Sequence, residues 1–350
     1  MTSSAMAGSP DALGPAATFV PAQLQLLLTE RCNLKCRHCA VPEEESPADG
    51  ELNMASWRAF IRHCVAGGLR SLVISGGEAL LRTGAVGLAS YAHELGAERT
   101  TLVTNGLLFR GDIPRQIAAA QAQRTSFGVH VSIDGASPQT HDWMRGRGTF
   151  YRTLRAIERL WAAGGRLTGL HTVIHSGNEH ELEACAELAD RLGVEVWTVF
   201  PVASLGRAQQ IQDRQLSEES WRRIIGALRD IERRRRFAVS VMGPVFVDEW
   251  PLSAGDVPNP LYEHALQTCV GPDGDVFTCP PLRHRPVGHV RDVESAEHWS
   301  DIAGRAGALL ESACGSCKFL LLCSGVNLAS PYRPRTADRP RGYPATGLGG

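Results

Sequence analysis

An alternation limits this chain more than any other feature. Between residues 24 and 236, apolar strand-like runs lie near 24–28, 71–75, 100–104, 128–134, 167–175 and 194–200. Helical stretches near 54–67, 82–95, 113–122, 149–163, 178–192 and 217–235 separate them. A strand, a helix and another strand in succession make a crossover, and crossovers of this length build parallel sheets with right-handed connections. Six units fall short of a closed eight-fold barrel, so the pattern predicts an α/β fold, a partial (β/α)6 barrel. With 350 residues and 43% hydrophobic content, the chain can bury one large core and build a smaller unit behind it.

Directly after the first run stands Thr29-Glu-Arg-Cys-Asn-Leu-Lys-Cys-Arg-His-Cys-Ala40, where Cys32, Cys36 and Cys39 are spaced C-x3-C-x2-C. Three thiolates so close can hold one face of a cubane iron–sulfur cluster and leave its fourth iron without a protein ligand. A structural zinc site normally takes four ligands and closes its shell. Zinc ligation and core thiols are the other readings of such a triad.

Three further strand-like runs end in small polar residues. Ser71-Leu-Val-Ile-Ser-Gly-Gly-Glu-Ala-Leu80 ends in Gly76-Gly77-Glu78, which alone reads equally as a glycine turn with a capping Glu. Thr100-Thr-Leu-Val-Thr-Asn-Gly106 and Phe127-Gly-Val-His-Val-Ser-Ile-Asp-Gly135 follow, and then His141-Asp-Trp-Met-Arg-Gly146. Taken singly, Asn105 is a turn residue and Arg145 a surface charge. All these segments fall just after strand ends, the face on which such folds place ligands.

In this order, the segments resemble the radical S-adenosylmethionine (SAM) superfamily. Ala79 stands where that family usually has Pro. The resemblance implies a 4Fe–4S cluster on Cys32, Cys36 and Cys39 whose open iron chelates SAM. Reductive cleavage then yields a 5′-deoxyadenosyl radical that abstracts hydrogen from a substrate. It also implies that Glu78 with Gly76 and Gly77 contacts the SAM amino group. Ser132 and Asp134 match positions that contact ribose or carboxylate, Arg145 matches a carboxylate partner, and Asn105 sits in the third-strand motif. His38 occupies a position whose backbone faces adenine, its ring filling space beside the cluster. His171 and His175 share one face of the fifth strand, as rim histidines or substrate contacts.

A second cysteine set follows. Cys269-Val-Gly-Pro-Asp-Gly-Asp-Val-Phe-Thr-Cys279 spaces two thiols around a hairpin with Pro272-Asp-Gly274 as its turn. Cys314, Cys317 and Cys323 give C-x2-C-x5-C, which without context reads as a zinc knuckle. Behind the first motifs, the set resembles the SPASM/twitch extension, implying at least one auxiliary iron–sulfur cluster. Asn327 stands where a full SPASM pattern has Cys, so one cluster on Cys269, Cys279 and two of the last three thiols is the economical reading. Two under-ligated clusters stay open. The resulting organisation is a lead at 1–20, the barrel at 21–240, a linker at 241–264, the twitch-like domain at 265–330 and a tail at 331–350.

Net charge is −1, so nothing in the whole-chain balance draws nucleic acid or an acidic membrane. The run Arg233–Arg236 continues a helix carrying Asp230 and Glu232 and reads as a solvated face before an RNA patch. No apolar run approaches the ~20 residues that span a bilayer. Clustered cysteines without an export signal point to a reducing cytoplasm. An electron donor such as flavodoxin or ferredoxin is an expected partner.

Only 31 residues precede Cys32, against some ~80–100 in relatives with their own leader-binding domain. That tilts the expectation from a peptide toward a small-molecule or sugar-like natural product, through dehydrogenation or epimerisation. Epimerisation needs a hydrogen donor, for which Cys64, Cys185 and whichever of Cys314, Cys317 and Cys323 is not a ligand are candidates, with a buried structural thiol as the other reading of Cys64 and Cys185. The alternatives are a peptide maturase with a separate leader-binding protein and a non-catalytic metal-binding scaffold.

Overall fold

Seven parallel strands in chain order, β1 to β7, carry the fold, and three short strands extend the sheet beyond β1. The computed structural model describes residues 21, 23–40, 50–123, 126–203, 206–241, 268–278, 285–293 and 298–306. The parallel strands are β1 (Gln23–Leu27), β2 (Ser71–Ser75), β3 (Arg99–Thr104), β4 (Phe127–Ser132), β5 (Gly169–Ile174), β6 (Val196–Pro201) and β7 (Ala238–Val241). Between them run α1 (Met54–Ala66), α2 (Ala85–Glu94), α3 (Ile113–Gln123), α4 (Pro138–Arg145), α5 (Thr149–Ala162), α6 (Leu182–Leu192) and α7 (Glu218–Arg234). Among the described residues the sheet runs from β7 to the last short strand without closing on itself, so the barrel is open.

The alternation within strands sorts the two faces. In β1, Leu24 and Leu26 are fully buried in the apolar layer beneath the helices, while Gln23, Gln25 and Leu27 face the lumen and are half-buried. Helix starts follow local chemistry. The Asn53 side chain accepts from the Ser56 N–H at 2.9 Å to open α1, and Ser137 followed by Pro138 opens α4.

The structure adds elements that the alternation does not announce. The His141–Gly146 segment is the helix α4, whose polar sequence hides its role, and β7 is a four-residue strand after the arginine run. The stretch near 178–192 is a 3-10 turn, Glu179–Glu181, followed by α6. Asn178 forces the break, because its amide donates to the Asp134 and Val173 carbonyls and accepts from the His175 N–H at 2.8 Å. The arginine run is a paired, solvated face: Arg234 and Arg235 reach Glu183 and Asp190 on α6.

The described part of the C-terminal region shares the barrel's core. β8 (Thr268–Val270) pairs in parallel with β1, β9 (Asp275–Phe277) turns back through Gly274 at φ +101°, and β10 (Gly288–His289) completes the edge. The Leu52 N–H donates to Pro272 O at 2.6 Å, tying the hairpin turn to the start of α1. Residues 298–306 are helical, and Trp299, 0% exposed, packs its ring 6.2 Å from Phe60 of α1. Replacing Trp299 with Ala should therefore cost about 3–5 kcal/mol of stability. Urea unfolding followed by circular dichroism should show one cooperative transition at a lower midpoint. A separate early transition with the barrel unaffected would contradict the shared core.

Candidate functional site

The cysteine loop leaves β1 and is held flat against the loop after β2. Gly76 sits at φ +143°, where a Cβ would lie 2.5 Å from Thr29 O, and a Cβ on Gly77 would lie 2.3 Å from Arg31 O. Gly77 N–H donates to Thr29 O at 2.6 Å and Glu78 N–H to Arg31 O at 2.9 Å. Two backbones thus pack without side chains between them, which only a glycine pair permits. Glu51 braces the loop from below, bonded to Thr29 and paired with Arg82 and Arg31.

Glu78 faces inward. It is 1% exposed, and its carboxylate accepts from the Thr104 hydroxyl at 2.7 Å, the Asn105 N–H at 2.9 Å and the Leu80 N–H at 3.1 Å. Burial raises its pKa, and the three donors oppose the rise. The side chain thereby locks the end of β3 to the glycine loop. Asn105 reaches the cysteine loop directly, donating to Asn33 Oδ1 at 2.6 Å with its amide nitrogen 4.0 Å from Cys32 Sγ.

Beside the cysteines lies a buried charged centre. Asp134 is 0% exposed, and Arg145 Nε approaches its Oδ2 to 2.6 Å, while Nη2 donates to Oδ1 at 3.2 Å. Burial pushes Asp134 upward, but the Arg145 guanidinium outweighs it and holds the carboxyl at about 2. His38 Nδ1 lies 3.4 Å from the same carboxylate, yet burial depresses His38 to about 4, so it stands there as a neutral imidazole. His141 accepts the Asp134 N–H at 3.2 Å and is likewise depressed to about 4, by burial and then by Arg145. Arg145, proposed from sequence as a ligand's carboxylate partner, is thus already paired within the protein.

The lumen holds a second histidine pair. His130 of β4 and His171 of β5 approach to 3.0 Å, Nδ1 to Nε2, and burial keeps both neutral, His171 at about 4. A Cβ on Gly169 would meet the His130 ring at 2.4 Å, so that strand glycine is what admits the imidazole. Ser132, 9% exposed, is the register partner of His171. His130 went unnoticed in sequence, although its parity with Ser132 already put both on one face. His175 packs on Trp143, with ring centroids 5.0 Å apart.

Cys36 is buried, and Cys32 and Cys39 are half-buried. Burial lifts Cys36 to about 11, the Arg145 charge opposes the lift, and charge on Cys39 or Cys32 adds to it. Among the described residues no three His, Cys, Asp or Glu side chains gather around one point as a single metal ion needs. A cubane spreads its thiolate ligands over several irons, which suits three thiols set around one loop, with a nearby cation to stabilise their charge. Cys269, 0% exposed, faces the lumen beside Gln25, with Sγ 3.7 Å from Oε1. Cys279, Cys314, Cys317 and Cys323 lie outside the described residues.

Cys64 and Cys185 lie away from the cysteine loop. They are 0% and 2% exposed within the apolar core beneath α1 and α6, and burial pushes both thiols well up. A thiol sealed there packs as a small apolar group, the structural reading of each rather than the donor one.

Residues 26–189 match the model of the Radical SAM superfamily. An AdoMet-dependent heme synthase from Methanosarcina barkeri is 30% identical over 95% of both chains. The chain belongs to the radical SAM superfamily. A PqqA peptide cyclase from Ruegeria pomeroyi is 28% identical, over 85% of this chain and 80% of its own. The fold is similar to that of Streptococcus suis SuiB bound to S-adenosylmethionine, with TM-score 0.68 and 18% identity over 88% of this chain and 73% of that one. Among the described residues no helix is long and apolar enough to cross a membrane.

Gly77→Ala should push the loop off its seat, and the reconstituted protein should hold about one four-iron cluster's worth of iron less than wild type while keeping its circular dichroism. Full iron retention would contradict the backbone contact. The buried histidines give a second expectation. A folded-state pKa near 4 for His141, against an ordinary imidazole value of 6.5, means stability is whole above 6.5 and drains as pH falls toward 4. At pH 5 the loss from His141 should be about 1–2 kcal/mol. His141→Gln should flatten the fall in urea midpoint between pH 7 and pH 5, and an unchanged slope would refute the assignment.

Proposed function

We propose that this chain is a radical SAM oxidoreductase that takes a hydrogen atom from a small-molecule substrate in the barrel lumen, with dehydrogenation as the net outcome. One observation carries the reading: the motif segments after β2, β3 and β4, together with α4, converge on the cysteine loop through the contacts of Gly77, Asn105, Asp134 and Met144. When bound, a 4Fe–4S cluster with SAM would supply the radical chemistry that removes a hydrogen atom from the substrate. Cys32, Cys36 and Cys39 would hold that cluster. Gly76 and Gly77 keep the loop flush and leave their edge clear for the SAM amino group, while Glu78 fixes them from behind.

Dehydrogenation is preferred to epimerisation because Cys64 and Cys185, the candidate donors among the described residues, are core thiols. Cys269 supports the same outcome. It faces the lumen in one row with Gln25, Val73 and Thr101, so an auxiliary cluster on Cys269, Cys279 and two of Cys314, Cys317 and Cys323 would stand within electron-transfer reach of a substrate radical. The likeness to the heme synthase along nearly the whole chain favours a small molecule. Peptide maturation is the second reading, favoured by the likeness to the peptide cyclase.

Anaerobic reconstitution followed by SAM and dithionite should yield 5′-deoxyadenosine, and Cys36→Ala should reduce it to background. A protein that binds iron but makes none would be a scaffold and end the proposal. Deuterium passing into 5′-deoxyadenosine from a labelled tetrapyrrole or other small molecule supports the first reading, and transfer from a labelled peptide supports the second.

A further inference from the structure

The motif loops hold the cysteine loop from the barrel side; a different element holds it from behind. We propose that Arg207, in the turn after β6, is a positioning residue for the cysteine loop and sets the reduction potential of the cluster that loop carries. The inference rests on reading Cys32, Cys36 and Cys39 as the cluster ligands.

Arg207 makes two bonds to the loop. Its backbone N–H donates to Cys39 O at 3.0 Å and its Nε–H to Cys36 O at 2.9 Å, across 171 positions of sequence. One residue therefore caps the carbonyls of two of the three ligand cysteines. Gly206 makes the approach possible. It sits at φ +53°, and a Cβ there would lie 2.5 Å from Cys39 O and 2.9 Å from Ala40. Backbone lies on backbone here, as at Gly76 and Gly77, but at the other end of the loop, at Cys39 and Ala40 instead of Thr29–Arg31.

The rest of the 206–214 turn continues the brace. Arg214 stacks on the Trp143 ring at 5.1 Å, and Arg37 of the cysteine loop stacks on the same ring at 4.8 Å. Arg37 N–H also donates to Met144 O at 2.8 Å, and Arg214 O accepts from the Ser176 N–H at 3.1 Å. The turn thus joins the cysteine loop, α4 and the loop after β5 into one unit.

Charge gives the brace its chemical consequence. A guanidinium stays protonated at every relevant pH, and Arg207 is half-buried, so water screens it incompletely. Asp134 and Arg145 offset each other as a pair, whereas no carboxylate among the described residues is in salt-bridge contact with Arg207. A fixed cation against the ligand loop favours the more negative, reduced cluster and raises its potential. Its carbonyl bonds hold the loop in one geometry for both oxidation states.

The test is a redox titration of the reconstituted full chain, followed by electron paramagnetic resonance with and without SAM, on wild type, Arg207→Gln, Arg207→Lys and Gly206→Ala. Arg207→Gln should make one-electron reduction about tenfold less favourable, a shift of about 59 mV to lower potential. Arg207→Lys should titrate near wild type, since the charge remains. Gly206→Ala should lose iron, because the turn can no longer seat. Arg207→Gln titrating at the wild-type potential with full iron would overturn the proposal. If Arg207→Gln holds too little iron to titrate, Arg207→Lys decides: a wild-type potential sustains the role of the charge, and a tenfold shift refutes it. The titrated signal is the one that changes on adding SAM, and Cys36→Ala must abolish it while any signal from an auxiliary cluster remains. Survival of the SAM-responsive signal would defeat the ligand assignment itself, a different failure from an unresponsive Arg207.

Discussion

The contact between the Gly76–Gly77 peptides and the Thr29–Arg31 backbone is what the site is built on. It joins the ends of two adjacent parallel strands with no side chain between them, so neither loop has room to move independently. Everything else is added to that seam. Glu78, anchored by it, turns its carboxylate to the end of β3, and Asn105 at that end reaches back to Asn33 on the cysteine loop. A loop carrying three thiols is otherwise a poor structural element, short of apolar groups and costly to order. Here its entropy is restrained by backbone bonds from β2's loop, α4 and the turn after β6.

The Asp134–Arg145 pair supplies a second constraint of a different kind. Removing either partner would leave a buried charge uncompensated, at a cost of about 3–5 kcal/mol. The pair also fixes direction. Asp134 Oδ1 accepts the Val173 N–H at 2.8 Å, and the Asp134 N–H is taken by His141. The end of β4 is therefore tied to β5 on one side and α4 on the other. This order leaves Asp134 and Arg145 offsetting each other and the surrounding imidazoles neutral. A ligand portion on that side then meets hydrogen-bonding groups of defined protonation.

Much of this was legible in the sequence, for physical reasons that differ by element. The six strands before α7 announced themselves because each sends apolar residues into the core beneath the helices, and the motif residues stood at their ends. The thiol triad was legible because spacing on a short loop is itself geometry. β7 was not, since four residues after a run of arginines carry too little pattern, and α4 was hidden by a polar sequence whose helix depends on Ser137, Pro138 and tertiary contacts. The roles of Glu78 and Arg145 were also out of reach. A carboxylate after two glycines is equally apt for a ligand's ammonium or for three protein donors, and only the fold reveals that Thr104, Asn105 and Leu80 already fill it. Arg207 stands in a segment after the sixth strand, where relatives place ligand contacts, but its bonds to the cysteine loop were out of reach, because those partners lie far away along the chain and are backbone carbonyls, which every residue has.

The placement of sulfur in the molecule bears on where electrons can go. Cys64 and Cys185 lie beneath the helices, on the outer face of the sheet, whereas Cys269 lies on the inner face in the row of Gln25, Val73 and Thr101. A parallel register places neighbours in such a row about 5 Å apart, and β1 rises about 3.3 Å per residue toward the cysteine loop. Cys269 and Cys32 therefore bracket the same lumen from its middle and its mouth, with β1 as the shared wall. Strand parity, the same alternation that makes Leu24 a core residue and Gln25 a lumen residue, puts Cys269 on the lumen face, while the inward faces of α1 and α6 hold Cys64 and Cys185 on the other side of the sheet.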